Sequence, residues 1–411
     1  GDLLTKGTKT RKAEAISEQM EFLGSSINST TNWMVTNVGF SATTDKVDKA
    51  AAILADVILN PTFPQSEIDL YKSQLIDELN VDLKQPGTLG RFVAARYTFG
   101  EHPVQGTPET IKAITRKDLL AIYKANYYPN MSTLIFTGDI TLAQAKLLAK
   151  KYFGLWKNPA RKDVTETLLE APAMPRTNEN QTIKRFLVVD LPNSGQSSVT
   201  YSKLIRDEGK VECPDTNKCV SNGNYYVANV LNSLLGGGYS SRMNQEIRIK
   251  RGLSYGAGSS IAWRWSDANF ITRCQTKTVS AAEVAELTVK EIDRLVNDTA
   301  SGSELNPRKN VLNGDFGRTF ETNSSISGQI ADLLTFSLPY SELNSFMNNV
   351  EKVSPQQVKE FAANNLRGGD IIIVGDYNDF KADLAKRFPN QKIEVIKADD
   401  LDLNSDTLRK K

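Results

Sequence analysis

The stretch best equipped for chemistry is LLGGGYSSRMNQEIRIKRGLSYGAGSS, Leu234–Ser260. Arg248 falls near the end of a short predicted helix that also carries Arg242, Glu246 and Lys250. Tyr255 opens the strand predicted once Gly252 releases the chain, seven residues after Arg248. A guanidinium is a fixed fork of donors and a phenol adds one O–H, so the pair at one rim suits a carbonyl or a developing oxyanion. From spacing alone, a surface arginine and a half-buried tyrosine are the default reading. The triple glycine Gly236-Gly237-Gly238 follows a predicted helix and reads first as a C-cap and tight turn. A phosphate loop would need a GK[ST] ending and a strand leading in, and the sequence has neither.

Other residue types narrow the chemistry. His102 is the one histidine in 411 residues, so this sequence cannot build a two-His metal site or any catalysis that needs a second imidazole. Cys213 and Cys219 lie six apart in VECPDTNKCV. They read equally as a small disulfide loop, which would imply an oxidising compartment, or as two free thiols in a polar loop. A Cys-only zinc site would need a fourth ligand from elsewhere, and Cys274 sits in a strand-like run. Lys+Arg 50 against Asp+Glu 48 leaves a net charge of +2, which gives no support for nucleic-acid binding or a polybasic membrane surface. No apolar run approaches the roughly 18 residues a membrane span needs.

The elements that must hold these residues follow from periodicity. At 40% apolar and 24% charged, 411 residues suffice for two cores of about 200 residues each. Ile16, Met20 and Leu23 predict a helix, and a strand is expected over 27–43. Helices follow with Val47, Ala51, Leu54 and Ile58 on one face, and then over 65–83. A turn at Pro86-Gly87, more helices, a strand at Leu134-Ile135-Phe136 and a helix to Phe153 complete the first half. In the second half, strands are predicted at Phe186–Val189, Ser197–Tyr201, through Tyr255 and Phe270, and at Ile371–Val374. Helices are predicted around Val227–Leu234, 281–296 and 304–320.

The halves look like copies. Gly138-Asp139 and Gly375-Asp376 are 237 apart, as are Glu67 and Glu304, and Val47 and Val284. An offset that holds over about 90 residues points to a tandem duplication of an α+β domain, each an antiparallel-rich sheet covered by helices. The expected division is a first domain at 1–156, a Pro-containing linker at 157–183, and a second domain at 184–411. The second copy's first strand, near 185, has its counterpart before residue 1. The first domain is therefore expected to lack its opening strands in this sequence.

LGGGYSSRMNQEIRIKRGLSYGAG resembles the C-terminal-domain signature of the insulinase/pitrilysin superfamily of zinc metallopeptidases, the inverzincins. It is most similar to the bacterial branch related to mitochondrial processing peptidase. LLTKGTKTRKAEAISEQMEFLGSSIN, FGEHPVQGTPETIKAIT and NYYPNMSTLIFTGDI also resemble blocks of that family, so the likeness spans essentially the whole chain. It implies two homologous domains forming half of a clamshell. The family's zinc motif, H-x-x-E-H, lies just upstream of its "KGT" block. Aligning Lys6-Gly7-Thr8 puts Gly1 at the glutamate base and Asp2 at the second histidine. Glu78 falls at the third-ligand position, without partner ligands. His102 falls in another block and reads as a surface or capping residue.

By the same resemblance, Arg248 and Tyr255 are the pair that reaches the zinc site from the opposite half of the clamshell, with Gly236, Gly237 and Gly238 as substrate-binding backbone. The implied protein is a zinc-free subunit of a heterodimeric metalloendopeptidase, inactive alone. A homologous H-x-x-E-H-bearing partner supplies the zinc, and an unfolded peptide, laid along a sheet edge, is the substrate. The alternative is a catalytically inactive structural or peptide-binding homologue. A third reading, a monomeric zinc peptidase with its motif missing from these residues, is opposed by Asp2. No metal or cofactor is expected on this chain. A periplasmic or exported location is expected, with cytoplasmic as the alternative.

Overall fold

The structure, a computed structural model, describes residues 1–159, 181–206, 209–215 and 218–410. Of the expected linker, 160–180 lie outside the described residues. The chain is a mixed α/β fold, rich in helix, and forms two compact units. One takes Gly1–Leu79, Gly106–Pro175 and Thr319–Thr335. The other takes Asn80–Gln105, Arg176–Arg318 and Phe336–Lys411. Each unit thus draws on both sequence copies.

In the first unit, helices Ala13–Phe22, Val47–Leu59 and Gln65–Asp82 enclose a core of Leu4, Ile16, Met20, Ile53, Val57 and Ile68. Asp56 organises the Lys6–Arg11 segment around itself. Its carboxylate accepts from Thr8 Oγ1 at 2.6 Å, Thr10 Oγ1 at 2.7 Å and Arg11 Nη1 at 2.7 Å. Burial opposes its charge, but these bonds and one from Asn60 outweigh burial and hold the carboxyl below its ordinary range. The segment that resembles the family's "KGT" block is therefore a structural knot.

Two expectations fail in this unit. The strand expected over 27–43 is a hairpin of β1 (Asn28–Thr31) and β2 (Thr36–Gly39), paired antiparallel. Asn32 makes its turn, because Oδ1 accepts from the amides of Met34 at 2.8 Å and Val35 at 3.0 Å. Leu134–Phe136 is not a strand. Among the described residues no strand pairs with it, so it joins no ladder.

The second unit is built on a six-stranded sheet. Its strands are β3 (Ile183–Asp190), β4 (Gln196–Ile205), β7 (Ser254–Trp263), β8 (Ala268–Lys277), β9 (Gly369–Gly375) and β10 (Ile393–Lys397), in the order β10-β3-β9-β4-β8-β7. β10, β3 and β9 run parallel, and β9, β4, β8 and β7 alternate antiparallel. A separate hairpin, β5 (Val211–Asp215) with β6 (Lys218–Ser221), is closed by a Cys213–Cys219 disulfide.

All seven residues of β9 are buried, as a strand covered on both faces requires. One face, with Phe186, Val188, Ile371 and Ile373, packs with helices Gly223–Leu235, Ala281–Asn297 and Pro355–Asn365. Helix Pro86–Tyr97 lies against β4 and β9. Pro86-Gly87 opens this helix rather than forming a turn, because proline at N1 gives up an amide that would be unpaired anyway. Beyond its end, Asp370 accepts from Thr98 Oγ1 at 2.8 Å and Arg185 Nε at 2.8 Å, and Arg185 Nη2 reaches the Tyr97 carbonyl at 2.6 Å.

Helices Pro86–Tyr97 and Asn323–Thr335 start 237 residues apart, and each sits in the unit built mainly from the other copy. Their seats are equivalent at the same offset. A Cβ on Gly90 would come within 3.5 Å of Val374 Cγ2, while Ser327 Oγ hydrogen bonds to Thr137 Oγ1 at 2.7 Å. Van der Waals contact beside Gly90 in the one helix and a serine–threonine hydrogen bond in the other fill the two seats.

Candidate functional site

The helix Gly223–Leu235 delivers the triple glycine. Asn222 caps its start, Oδ1 accepting from the Asn224 amide at 2.9 Å, and Gly236 is its C-cap. The amides of Gly236 and Gly237 both return to the Asn232 carbonyl, at 2.9 and 2.8 Å. A Cβ on Gly236 would run into the Ser259 amide of β7, and one on Gly237 would sit 2.7 Å from Ser233 Cα. A Cβ on Gly238 would meet nothing closer than Arg308 Nη1 at 3.7 Å. Gly236 and Gly237 thus let the turn close against β7 and its own helix, which is a packing demand.

The helix that follows is a π-helix over Asn244–Ile249. Lys250 donates its amide to the Gln245 carbonyl at 2.9 Å, five residues back. Met243 and Ile247 are fully buried in the core, which fixes the helix's rotation, and Arg248 emerges half-buried beside them. Its guanidinium lies over the Tyr239 ring, 5.1 Å from the centroid. Among the described residues that guanidinium has no hydrogen bond or ion pair. Gly252, at φ +66°, then turns the chain into β7.

Tyr255 sits in a β-bulge. Ser254 pairs with Thr276 and Ala257 with Cys274, so β7 carries one more residue than β8 between those pairs. Ser254 Oγ clamps the bulge. It lies 2.7 Å from the Gln275 carbonyl and 2.6 Å from the Gly256 carbonyl, and it accepts from the Gly256 amide at 3.0 Å. The phenol is thrown outward and is 92% exposed. Arg248 and Tyr255 therefore stand on consecutive elements of one unit, each offering donors that no described residue occupies.

Behind the π-helix, the arginines that sequence reading left aside form an ion network around a cavity of about 330 Å³. Buried Arg242 donates to Glu304 through Nε at 2.6 Å and Nη2 at 2.8 Å, and holds that carboxyl below its ordinary range. Lys250 and Arg251 do the same for Glu246. Glu291 goes the other way, because burial raises its pKa more than Arg294 and Arg242 lower it. These groups are committed to one another and pin the helix that presents Arg248.

In the first unit, Asp2 and Glu78 are not arranged as ligands. Asp2 accepts a hydrogen bond from Tyr71 at 2.5 Å. Glu78 is exposed two turns further along Tyr71's helix. Burial, with the Asp2 carboxylate and Glu78 nearby, pushes the Tyr71 phenol well above its usual range. Among the described residues, no three His, Cys, Asp or Glu side chains are placed to hold a metal ion. An Asp–Tyr pair and a solvent-facing glutamate do not fit zinc, which takes three or four converging ligands. His102 is exposed, with Nδ1 3.0 Å from the Pro103 carbonyl.

The chain is thus a two-unit α/β fold that carries Arg248 and Tyr255 on consecutive elements of one unit. Residues 2–96 match the family model described as Insulinase (Peptidase family M16), and residues 113–312 match Peptidase M16 inactive domain. Between them the two models take in more than half of the chain, and the protein belongs to that family.

An uncharacterized zinc protease of Streptomyces coelicolor is 22% identical over 385 residues, 92% of this chain and 80% of that protein. The non-peptidase homolog YmxG of Helicobacter pylori is 22% identical, covering 87% of this chain and 79% of the relative. The crystal structure of a protease from Helicobacter pylori superposes with a TM-score of 0.79 at 18% identity, over 91% of this chain and 87% of that one. The peptidase M16 inactive domain from Pseudomonas fluorescens gives 0.74 at 23%, over 91% and 86%. The fold is therefore that of the family, and its curated relatives bear names from both sides of the catalytic divide.

Proposed function

We propose that this chain is the zinc-free subunit of a heterodimeric metalloendopeptidase, with Arg248 and Tyr255 as its contribution to catalysis. The observation that carries the reading is the pair itself. Both side chains are held by local structure built around them, Arg248 over the Tyr239 ring, and neither gives a hydrogen bond to another described residue. The position that resembles the family's second zinc-ligating histidine is Asp2, already engaged by Tyr71. Metal and general base would come from an H-x-x-E-H-bearing partner. Arg248 and Tyr255 would hold the scissile carbonyl of an unfolded peptide and stabilise its oxyanion, with Gly236–Gly238 beside them. Such donors supply about 2.7–4 kcal/mol of transition-state stabilisation.

The Cys213–Cys219 bond supports an oxidising, periplasmic or exported setting. Among the described residues, no helix is long and apolar enough to cross a membrane.

The second reading, a catalytically inactive structural or peptide-binding homologue, draws on the non-peptidase name of the Helicobacter relative. The two part on one experiment. Cleavage of a quenched peptide and bound zinc are measured for this chain alone and for its mixture with a co-purifying homologue. Activity and metal in the mixture only are expected, and a stable complex without activity would favour the inactive homologue.

A further inference from the structure

We propose that Asn244 is the positioning residue for Arg248 and Tyr255. The inference rests on the reading of those two side chains as substrate contacts. Asn244 is 4% exposed, at the start of the π-helix, and both ends of its carboxamide are used. Nδ2 donates to the Tyr239 carbonyl, and Oδ1 accepts from the Ala257 amide at 3.4 Å. Tyr239 carries the ring under Arg248. Ala257 is the first paired residue after the bulge that throws Tyr255 outward. One side chain therefore ties the loop beneath the guanidinium to the strand end behind the phenol. A buried amide with both functions satisfied fixes a single geometry, which an apolar residue of the same size would not.

The same frame closes part of the sheet edge. β7 is an edge strand, and Ala257 and Ser259 are alternate residues whose amides turn away from β8. The Ala257 amide goes to Asn244 and the Ser259 amide goes to the Gly236 carbonyl at 3.2 Å. Ser259 Oγ is also bonded, to Asn232 Oδ1 at 2.7 Å. A peptide beside Tyr255 thus finds both outward amides of 257–259 already taken. It would be held there by side-chain donors, and a backbone ladder on this strand would be confined to the far end, Ile261–Trp263.

The test uses the whole chain, alone and in complex with its H-x-x-E-H partner. In Asn244→Leu alone, amide exchange over 254–259 and 237–241 is expected to speed about tenfold, with β9 as protected as before. In the complex the same variant should lower kcat about 10²-fold with KM changed by less than about twofold. Asn244→Asp keeps the acceptor for Ala257 but can donate to Tyr239 only when protonated. Its activity relative to the unsubstituted complex should therefore recover as pH falls, a profile Asn244→Leu should lack.

Unchanged exchange over 254–259 in Asn244→Leu would overturn the proposal whatever the activity. So would a kcat loss that tracks lost protection in β9, because that is global destabilisation. Faster local exchange in Asn244→Leu, with an Arg248→Ala complex still fully active, would overturn the assignment of Arg248 as a substrate contact and the catalytic part of this inference with it.

Discussion

Leu134 and Ile371 occupy equivalent places in the two copies, 237 residues apart, and live in opposite surroundings. Ile371 is fully buried in β9 between β3 and β4, while Leu134 is 41% exposed in a segment with which no described strand pairs. The two chemical loci differ in the same way. In the first unit the acid at the histidine-like position is answered by a tyrosine. In the second, an arginine and a tyrosine are held out by a π-helix and a bulge, with no described hydrogen-bond acceptor for either. The contrast teaches that a strand-forming sequence makes a strand only where a ladder receives it. Likewise, a site is shown by what its donors leave unspent more than by which residues are present.

The sharpest way to break the contrast is to truncate the paired positions. Ile371→Ala removes a buried side chain from a fully covered strand and should cost about 2–5 kcal/mol, against less than about 1 kcal/mol for Leu134→Ala. Thermal or denaturant unfolding of the two variants measures the difference, and equal losses would mean the first-copy segment is packed as β9 is.

The second unit's ion network comes next. Glu304→Ala leaves Arg242, with 4% of its side chain exposed, without its bidentate partner. The expected cost is about 2–4 kcal/mol, short of the dry-pair limit because Glu304 keeps some solvent contact. Its pH dependence has a definite sign. The Glu304 carboxyl is depressed in the fold by Arg242, so its contribution is present above the ordinary glutamate range near 4.3 and fades as pH falls through the lowered value. The unsubstituted chain and Glu304→Ala should therefore converge in stability in acid.

Glu291 gives the smallest effect and the opposite sign. Its folded pKa is raised by burial, so the charged form costs stability once pH rises through that value. Glu291→Gln should raise stability at neutral pH by about 0.5–1 kcal/mol, seen as a higher thermal midpoint, with the gain vanishing below the ordinary glutamate range. A loss at neutral pH would show that its contact with Arg294 outweighs its burial.

How much of this was legible in the sequence varies with range. The Gly-rich turn, the helix before it and the Arg248–Tyr255 spacing are local patterns, and the chain carries them openly. The π-helix and the bulge are not periodic signals, since one residue too many in a turn or a strand leaves composition unchanged. Asn244 carries no sequence signal, because its partners, Tyr239 and Ala257, lie five and thirteen residues away in opposite directions. The 237-residue offset pairs Glu67 with Glu304 and Val47 with Val284 but says nothing of helices Pro86–Tyr97 and Asn323–Thr335, each of which packs in the unit built mainly on the other copy. That choice is made by non-local contacts such as Gly90 on Val374. The hairpin at 28–39 hid behind one Asx turn at Asn32.

On the proposed function, Arg248 and Tyr255 of the second unit do chemistry while Asp2 and Glu78 of the first do not. The most direct test is steady-state kinetics of Arg248→Ala and Tyr255→Phe, each assembled with the H-x-x-E-H partner, with complex formation and melting measured alongside. Each substitution should lower kcat/KM by about 10²–10³-fold while assembly and melting stay as they were. Full activity in both variants would contradict it and leave Arg248 and Tyr255 as surface residues of a chamber wall.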